Sequence, residues 1–478
     1  MADKEASSSA EPELQRVMGP WLLLLFIVGD ILGTGIYALT GQVAKHVGGA
    51  VWLPFLVAFG VALLTAFSYL ELVTKYPKAA GAALYAHRAF GIHFVTFLIA
   101  FAVMCSGITS ASTASRAFAA NFSDSMGLGL GGLGVTLVGL VFMAVIAAVN
   151  FRGVGESVKI NVLLTCVELT GLLIIIVIGL WAIGAGTGDL GRAFQFTSAN
   201  DSDVMWAVIA GTTLAFFAMV GFEDSVNMAE ECHNPVRDFP KMMLTGLGIT
   251  GVIYILVSIT SVALVPVGDL TNLDKGSALT QVVAAGAPDL PFDTIFPFIG
   301  LFAVANSALI NMLMASRLLY GLANQDVLPR SLGRVHPTRR TPWVSITFTT
   351  LIAFGLIIFV VRLSAADGGA DNIALLGGTT SLLLLCVFTV VNVALLVLRR
   401  RPVEHDHFKA PAFLPVLGAL TCAYLAGPWA RSEEQQRQYL IAGVLLAVGI
   451  VLWLCTWLWN RGVRAKKTGF RDVDSLSG

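Results

Sequence analysis

Apolar residues run along this chain in long blocks broken by short polar stretches. The blocks fall at about 18–43, 51–73, 93–121, 132–150, 159–184, 204–229, 241–266, 293–321, 343–363, 372–398, 411–430 and 438–459. About 20 apolar residues in a helix cross the hydrocarbon core of a bilayer. The pattern therefore predicts an all-α polytopic membrane protein with twelve transmembrane helices. The connections are too short for a separate soluble domain. The stretch after span 2, KYPKAAGAALYAHRAFG, is too polar to cross and predicts an interfacial helix starting near Pro77. The longer stretch between spans 7 and 8, GDLTNLDKGSALTQVVAAGAPDL, has room for a helix over the outer face or for an irregular loop.

The basic residues sort by side. With the amino terminus placed inside, all but Lys45, Arg116, Arg192, Lys275, Arg362, Arg431 and Arg437 of the 30 lysines and arginines lie in or beside cytoplasmic connections. Cytoplasmic loops carry that excess in membrane proteins, so both termini are expected in the cytoplasm of a cell with this protein in its plasma membrane. Composition agrees: 56% of residues are apolar and 13% charged, against roughly 25% charged in soluble domains. That excludes a soluble enzyme, a nucleic-acid binder and a disordered chain. The opening MADKEASSSAEPE lacks the basic region of a secretory signal. The six cysteines are isolated and read as small core residues, with no disulfide framework or metal site.

Two spans carry features that hydrocarbon does not tolerate without a reason. Irregular backbone at membrane depth persists where it lines a cavity. Span 1, WLLLLFIVGDILGTGIYALTGQVA, places Gly29, Gly33 and Gly35 around Asp30 and Thr34 at mid-membrane. A glycine costs about 1 kcal/mol against alanine within a helix, so this cluster predicts an unwound segment; close helix packing is the plainer alternative. Span 6, AFFAMVGFEDSVNMAEECHNP, places Gly221 mid-span with Glu223 and Asp224 directly after it. The two candidates lie five spans apart, as in folds of two inverted repeats that bind substrate between discontinuous helices. The chain then divides into a tail at 1–17, repeats at 18–184 and 204–398, two extra helices at 411–459, and a tail at 460–478.

The break in span 1 would aim amide donors and a positive helix end at the gap, matching a carboxylate. Carbonyls freed around Phe217, Ala218 and Val220 would suit an ammonium group. An anion site facing a cation site fits an α-amino acid better than a polyamine.

At these residues the sequence resembles the amino acid–polyamine–organocation (APC) transporter superfamily, in its bacterial amino acid permease branch. GDILGTGIY, YLELVTKYPKAAGAALY, FFAMVGFEDSVNMAEECHNPVRDFPK, SRLLYGLANQDVLPRSLGRVHPTRRTP and GGTTSLLLLCVFTVVNVALLVLRRRP carry the likeness, in family order, over about residues 18–460. The resemblance implies a five-plus-five inverted repeat with discontinuous helices 1 and 6 and two added C-terminal helices, working by alternating access. It implies that Gly33, Thr34 and Gly35 hold the substrate carboxylate. Carbonyls of Ile31, Phe217, Ala218 and Val220 would hold its amino group, and Phe222, with Phe216 and Phe217, would gate the site. Three positions depart from the family pattern. Glu168 stands where many proton-coupled relatives have a lysine, Asp30 where a small apolar residue is usual, and Ala323-Asn324-Gln325-Asp326 where A-R-D-G is common.

Asp30, Glu168 and Glu223 lie far from the ends of their spans, and ionisable groups there are functional candidates. A protonated Glu168 would donate to carbonyls freed near Gly29 or Leu32, and losing the proton would break that contact. The expectation is a secondary active amino acid transporter, proton-coupled through Glu168, Glu223 and Asp30, with no catalytic residues and no cofactor or metal. Sodium coupling with Asp30 and Ser307 as ligands is the competing arrangement. A polyamine carrier, an exchanger and a substrate-gated sensor are the alternatives in function. Met104 to Ile108 of span 3 are candidates for a side-chain pocket, and Asn306, Ser307 and Asn311 of span 8 for the pathway. The expected partners are a small amino acid or amine and the lipid bilayer, with no nucleic acid. No acid stands on the span-3 or span-8 face, which argues against lysine or arginine unless Asp30 intervenes.

Overall fold

The computed structural model describes residues 18–77, 81–196, 204–272, 277–288, 292–324, 328–339, 341–366 and 372–462. The expected tail at 1–17 lies outside them; of the one expected at 460–478, residues 460–462 belong to the last helix and the rest lie outside. The described chain is predominantly helical. Its helices are α1 (Pro20–Val47), α2 (Trp52–Lys75), α3 (Gly81–Phe90), α4 (His93–Ser125), α5 (Gly132–Arg152) and α6 (Val154–Gly184). Then follow α7 (Val204–Ala215), α8 (Phe222–Ser225), α9 (Pro235–Leu264), α10 (Val267–Leu270), α11 (Ala278–Gly286) and α12 (Phe292–Asn324). The last four are α13 (Trp343–Ala366), α14 (Asn372–Leu398), α15 (Phe413–Ala426) and α16 (Arg437–Gly462). Isolated bridges join Met18 to Cys232 and Gly48 to Phe196, and no strand forms among the described residues.

Eleven of the described segments are long and apolar enough to cross a membrane, with α7 and α8 counted together. The remaining span is α15, which at 14 residues reaches about 21 Å and stops at Gly427-Pro428. The protein is thus an all-α polytopic membrane protein. One feature differs from the sequence-based expectations, and one open alternative is decided. The interfacial helix begins at Gly81, and Pro77 is not helical. The connection between α9 and α12 does hold helices, α10 and α11.

Burial sorts the helices into centre and rim. In its most apolar window α1 is 78% buried, whereas α5 and α16 are 28% buried. Leu133, Val141, Leu163, Val177 and Trp181 stand exposed along the outer faces of α5 and α6. On a soluble protein such a surface would drive association; here it faces lipid. Trp21, Trp181, Trp343 and Trp429, also exposed, sit near helix ends, where tryptophans anchor at the membrane interface. At the centre α1 packs on α6, α7, α9 and α12, and α4 lies along α12.

The carboxy-terminal end of α2 is tied to the end of α14 by a polar clasp. Arg399 donates to Glu71 through Nε (2.9 Å) and Nη2 (2.6 Å) and to the Ala410 carbonyl (2.7 Å). The Ala410 amide donates back to Glu71 (2.8 Å), and Lys75 donates to the Leu398 carbonyl (2.7 Å).

Candidate functional site

Helix α1 is interrupted at Gly33, whose φ of 16° and ψ of −149° are not helical. The interruption frees polar groups on both sides, and two other helices take them up. The Tyr254 hydroxyl of α9 shares its proton between the carbonyls of Ile31 and Leu32, each 2.6 Å away. The Thr34 amide donates to Ser307 Oγ of α12 at 2.9 Å. A side chain at Gly33 would strike Ser307 Oγ, and a Cβ on Gly35 would lie 2.5 Å from that of Ala218.

The second interruption separates α7 from α8. A 3-10 turn, Phe216–Met219, leads into extended Val220 (φ −81°, ψ 153°) and then Gly221 at φ 125°. That φ suits glycine alone. A Cβ there would also sit 2.7 Å from the Asp30 carbonyl carbon and oxygen. Glu223 Oε2 turns back to accept from the Gly221 amide at 2.8 Å, capping the restarted helix. Two helices that fail to continue therefore meet backbone to backbone.

A cavity of about 20 Å³ lies between them, room for a water molecule but not for an amino acid. From α1 it is lined by Asp30, Ile31, Gly33, Thr34 and Gly35. The broken span supplies Phe217, Val220, Gly221 and Asp224, and α4 and α12 supply Ser110, Ser307 and Asn311. Of its polar atoms, Asp30 Oδ2 and Thr34 Oγ1 are buried and have no hydrogen-bond partner among the described residues.

Several residues singled out from the sequence stand elsewhere. Ala218 packs against Gly35 instead of facing the cavity. Phe222 and Phe216 are fully buried against Phe388, with ring centroids 5.4 and 6.0 Å away, and Phe222 also meets Tyr69 at 5.9 Å. Met104 to Ile108 do not line the cavity; α4 contributes Ser110, one turn on, because that turn faces the break. Asn306 faces the other way, donating to Thr165 (3.4 Å) and accepting from Asn161 (3.0 Å) of α6.

Glu168 lies on α6 behind the break, fully buried, beside Asn306. Neither of its carboxyl oxygens has a partner with hydrogen-bond geometry among the described residues. Its backbone carbonyl accepts from the Tyr37 hydroxyl at 2.9 Å. The Glu168 carboxyl therefore makes neither of the contacts expected with carbonyls near Gly29 or Leu32, and the Leu32 carbonyl accepts from Tyr254 instead. Asp224, Glu223 and Glu168 all lie within electrostatic reach of Asp30.

Tyr254 is the residue that reading the sequence missed. It stands in the apolar run GVIYILVSI, and a phenol there needs an acceptor in hydrocarbon, which was the available signal. Asp224 was visible only as the neighbour of Glu223. No cluster of histidine, cysteine or acidic residues suited to a metal occurs among the described residues.

Two broken helices around a buried polar cavity define a solute carrier. Residues 18–456 match the amino acid permease family, and the chain belongs to that family, whose members are transporters and not enzymes. It is 26% identical over 431 residues to the methylthioribose transporter of Bacillus subtilis, covering 86% of this chain and 87% of that one. It is 24% identical over 449 residues to the branched-chain amino acid permease BcaP of the same organism, covering 88% and 90%. Similarity extends to the chloroplastic cationic amino acid transporter 9 of Arabidopsis thaliana, at 29% over 355 residues, 69% of this chain and 59% of that one.

Proposed function

We propose that the protein carries amino acids across the plasma membrane by alternating access, with both termini cytoplasmic and the two halves 18–184 and 204–398 acting as inverted repeats. The observation that carries this reading is the meeting of the breaks at Gly33 and Gly221 around one cavity. The start of the second half of α1, Gly33 to Gly35 with the Thr34 hydroxyl, receives the substrate carboxylate at a positive helix end. The carbonyls of Ile31, Phe217 and Val220 receive the ammonium group. The Ser307 hydroxyl occupies the Thr34 amide until a carboxylate replaces it. The relatives' names divide among methylthioribose, branched-chain and cationic amino acids, and two of those three support the amino acid reading.

The coupling ion in this reading is the proton. Glu168 brings a fully buried carboxyl behind the break, within electrostatic reach of Asp30. Protonated, it is a neutral neighbour that α1 packs against; deprotonated, it repels Asp30 and loosens that packing. Glu223, which caps Gly221, holds the local geometry in place.

Proteoliposomes containing the purified protein test both levels. Labelled amino acid accumulating under an inward proton gradient in sodium-free buffer supports the reading. Accumulation that needs sodium and ignores the pH gradient removes the proton step. Saturable binding without accumulation makes the protein a sensor.

A further inference from the structure

The cavity between the two breaks is lined by acids and by no base. Asp30 and Asp224 both line it, and its other polar side chains, Ser110, Ser307 and Asn311 among them, are neutral. No lysine, arginine or histidine borders it. Neither acid joins an ion pair among the described residues. Asp30 Oδ2, buried on a residue 7% exposed, has no hydrogen-bond partner there. Buried charges are paired, coordinated or neutralised, and breaking a buried pair costs far more than forming one gains. The pairing cation is missing from the protein side.

A zwitterion does not supply it. In the reading above, on which this inference rests, the substrate carboxylate meets the amides after Gly33 and its ammonium meets the freed carbonyls. Both charges are then satisfied and the two acids still face no basic group. A second positive charge on the solute restores the balance. We propose that the protein selects amino acids with a cationic side chain, the lysine and arginine type, and that Asp30 and Asp224 form the subsite for that charge. Ser110 and Asn311 supply uncharged hydrogen-bond acceptors around it. This reverses the expectation drawn from the span-3 and span-8 faces, because the acids come from the broken helices themselves.

Charge is separated from shape by near-isosteric pairs, L-arginine against L-citrulline and L-lysine against L-norleucine. Each is used to compete with labelled L-arginine and with labelled L-leucine for uptake into proteoliposomes. The expected result is that the cationic member of each pair competes at least tenfold more strongly than its neutral partner. In Asp224→Asn and Asp30→Asn that ratio falls toward one, with residual uptake of neutral amino acid. If citrulline and norleucine match their cationic partners while amino acid uptake is saturable, the subsite is refuted and amino acid transport stands. If no amino acid is taken up saturably, both fall. The wild-type ratio decides the matter even if a substituted protein fails to fold, which size-exclusion chromatography reveals.

Discussion

The Tyr254 hydroxyl lies 2.6 Å from the carbonyl oxygen of Leu32, the last residue before α1 breaks at Gly33. The same proton serves the Ile31 carbonyl, so one phenol from α9 satisfies the end of the first half of the helix. Without it two carbonyls would face a water-poor interior, where an unmade hydrogen bond costs about 1–3 kcal/mol.

Replacing that phenol tests the seam. Tyr254→Phe is expected to lower the melting temperature by several degrees and cut substrate uptake about tenfold. Tyr85→Phe is the matched control. Tyr85 is also fully buried, but its hydroxyl has no partner among the described residues, so its removal leaves stability equal or slightly raised. Thermal unfolding in detergent, followed by intrinsic fluorescence, separates the two. Equal losses in both variants would mean that the contact with α1 carries no special weight.

Gly221 admits no side chain, since its φ is 125° and a Cβ would lie 2.7 Å from the Asp30 carbonyl. Backbone strain of this kind costs about 1–3 kcal/mol, and the clash adds to it. Gly221→Ala is expected to reduce uptake at least tenfold at equal expression. Gly248→Ala, at a helical glycine with open space around it, is expected to leave uptake unchanged. Initial rates of uptake for both variants check this.

Glu168→Gln removes the charge while keeping the shape. If this carboxyl carries the coupled proton, exchange of labelled for unlabelled substrate persists, and concentrative uptake driven by a pH gradient falls to equilibration. The sign follows from glutamine's likeness to the protonated acid: the variant is held in the neutral form and gains nothing from external acid. Wild-type accumulation is expected to rise as the outside is acidified, and that of the variant to stay flat. A variant that still concentrates substrate on a pH gradient would move the proton site elsewhere.

The clasp between Glu71 and Arg399 is the fourth test. Glu71 is almost fully covered (3% side-chain exposure) and Arg399 partly so (24%). Removing one partner strands the other, a loss of about 3–5 kcal/mol where a pair is buried. Arg399→Gln is expected to destabilise strongly, and the double variant Glu71→Gln with Arg399→Gln to recover part of the loss. Melting temperatures of the wild type, Glu71→Gln, Arg399→Gln and the double variant complete the cycle. Additive losses would show the pair to be uncoupled.

Much of this architecture was readable because a bilayer leaves few choices. Hydrocarbon length set the spans, and the glycines around Asp30 and before Glu223 marked the breaks, because flexible residues stand there beside acids at mid-membrane. Helix rotation was not readable. Met104 to Ile108 and Ser110 sit on one apolar helix with almost no amphipathic bias, so the face turned toward the cavity depends on how α4 packs against α12. Phe222 was misplaced for a related reason: its position after Gly221 fixed its height in the membrane but not its direction, and Phe388 and Tyr69 hold it on the far side. The Tyr254 contact joins residues 222 apart in sequence, beyond the reach of any local pattern.

The two pieces of α1 answer to different neighbours. Tyr254 moors the leading piece to α9, while Ser307 moors the trailing piece to α12. In the proposed reading, a tilt of α9 would drag one end of the substrate cradle and leave the other at rest, so that the grip on the amine loosens before the grip on the acid. Release from such a carrier would begin at the nitrogen.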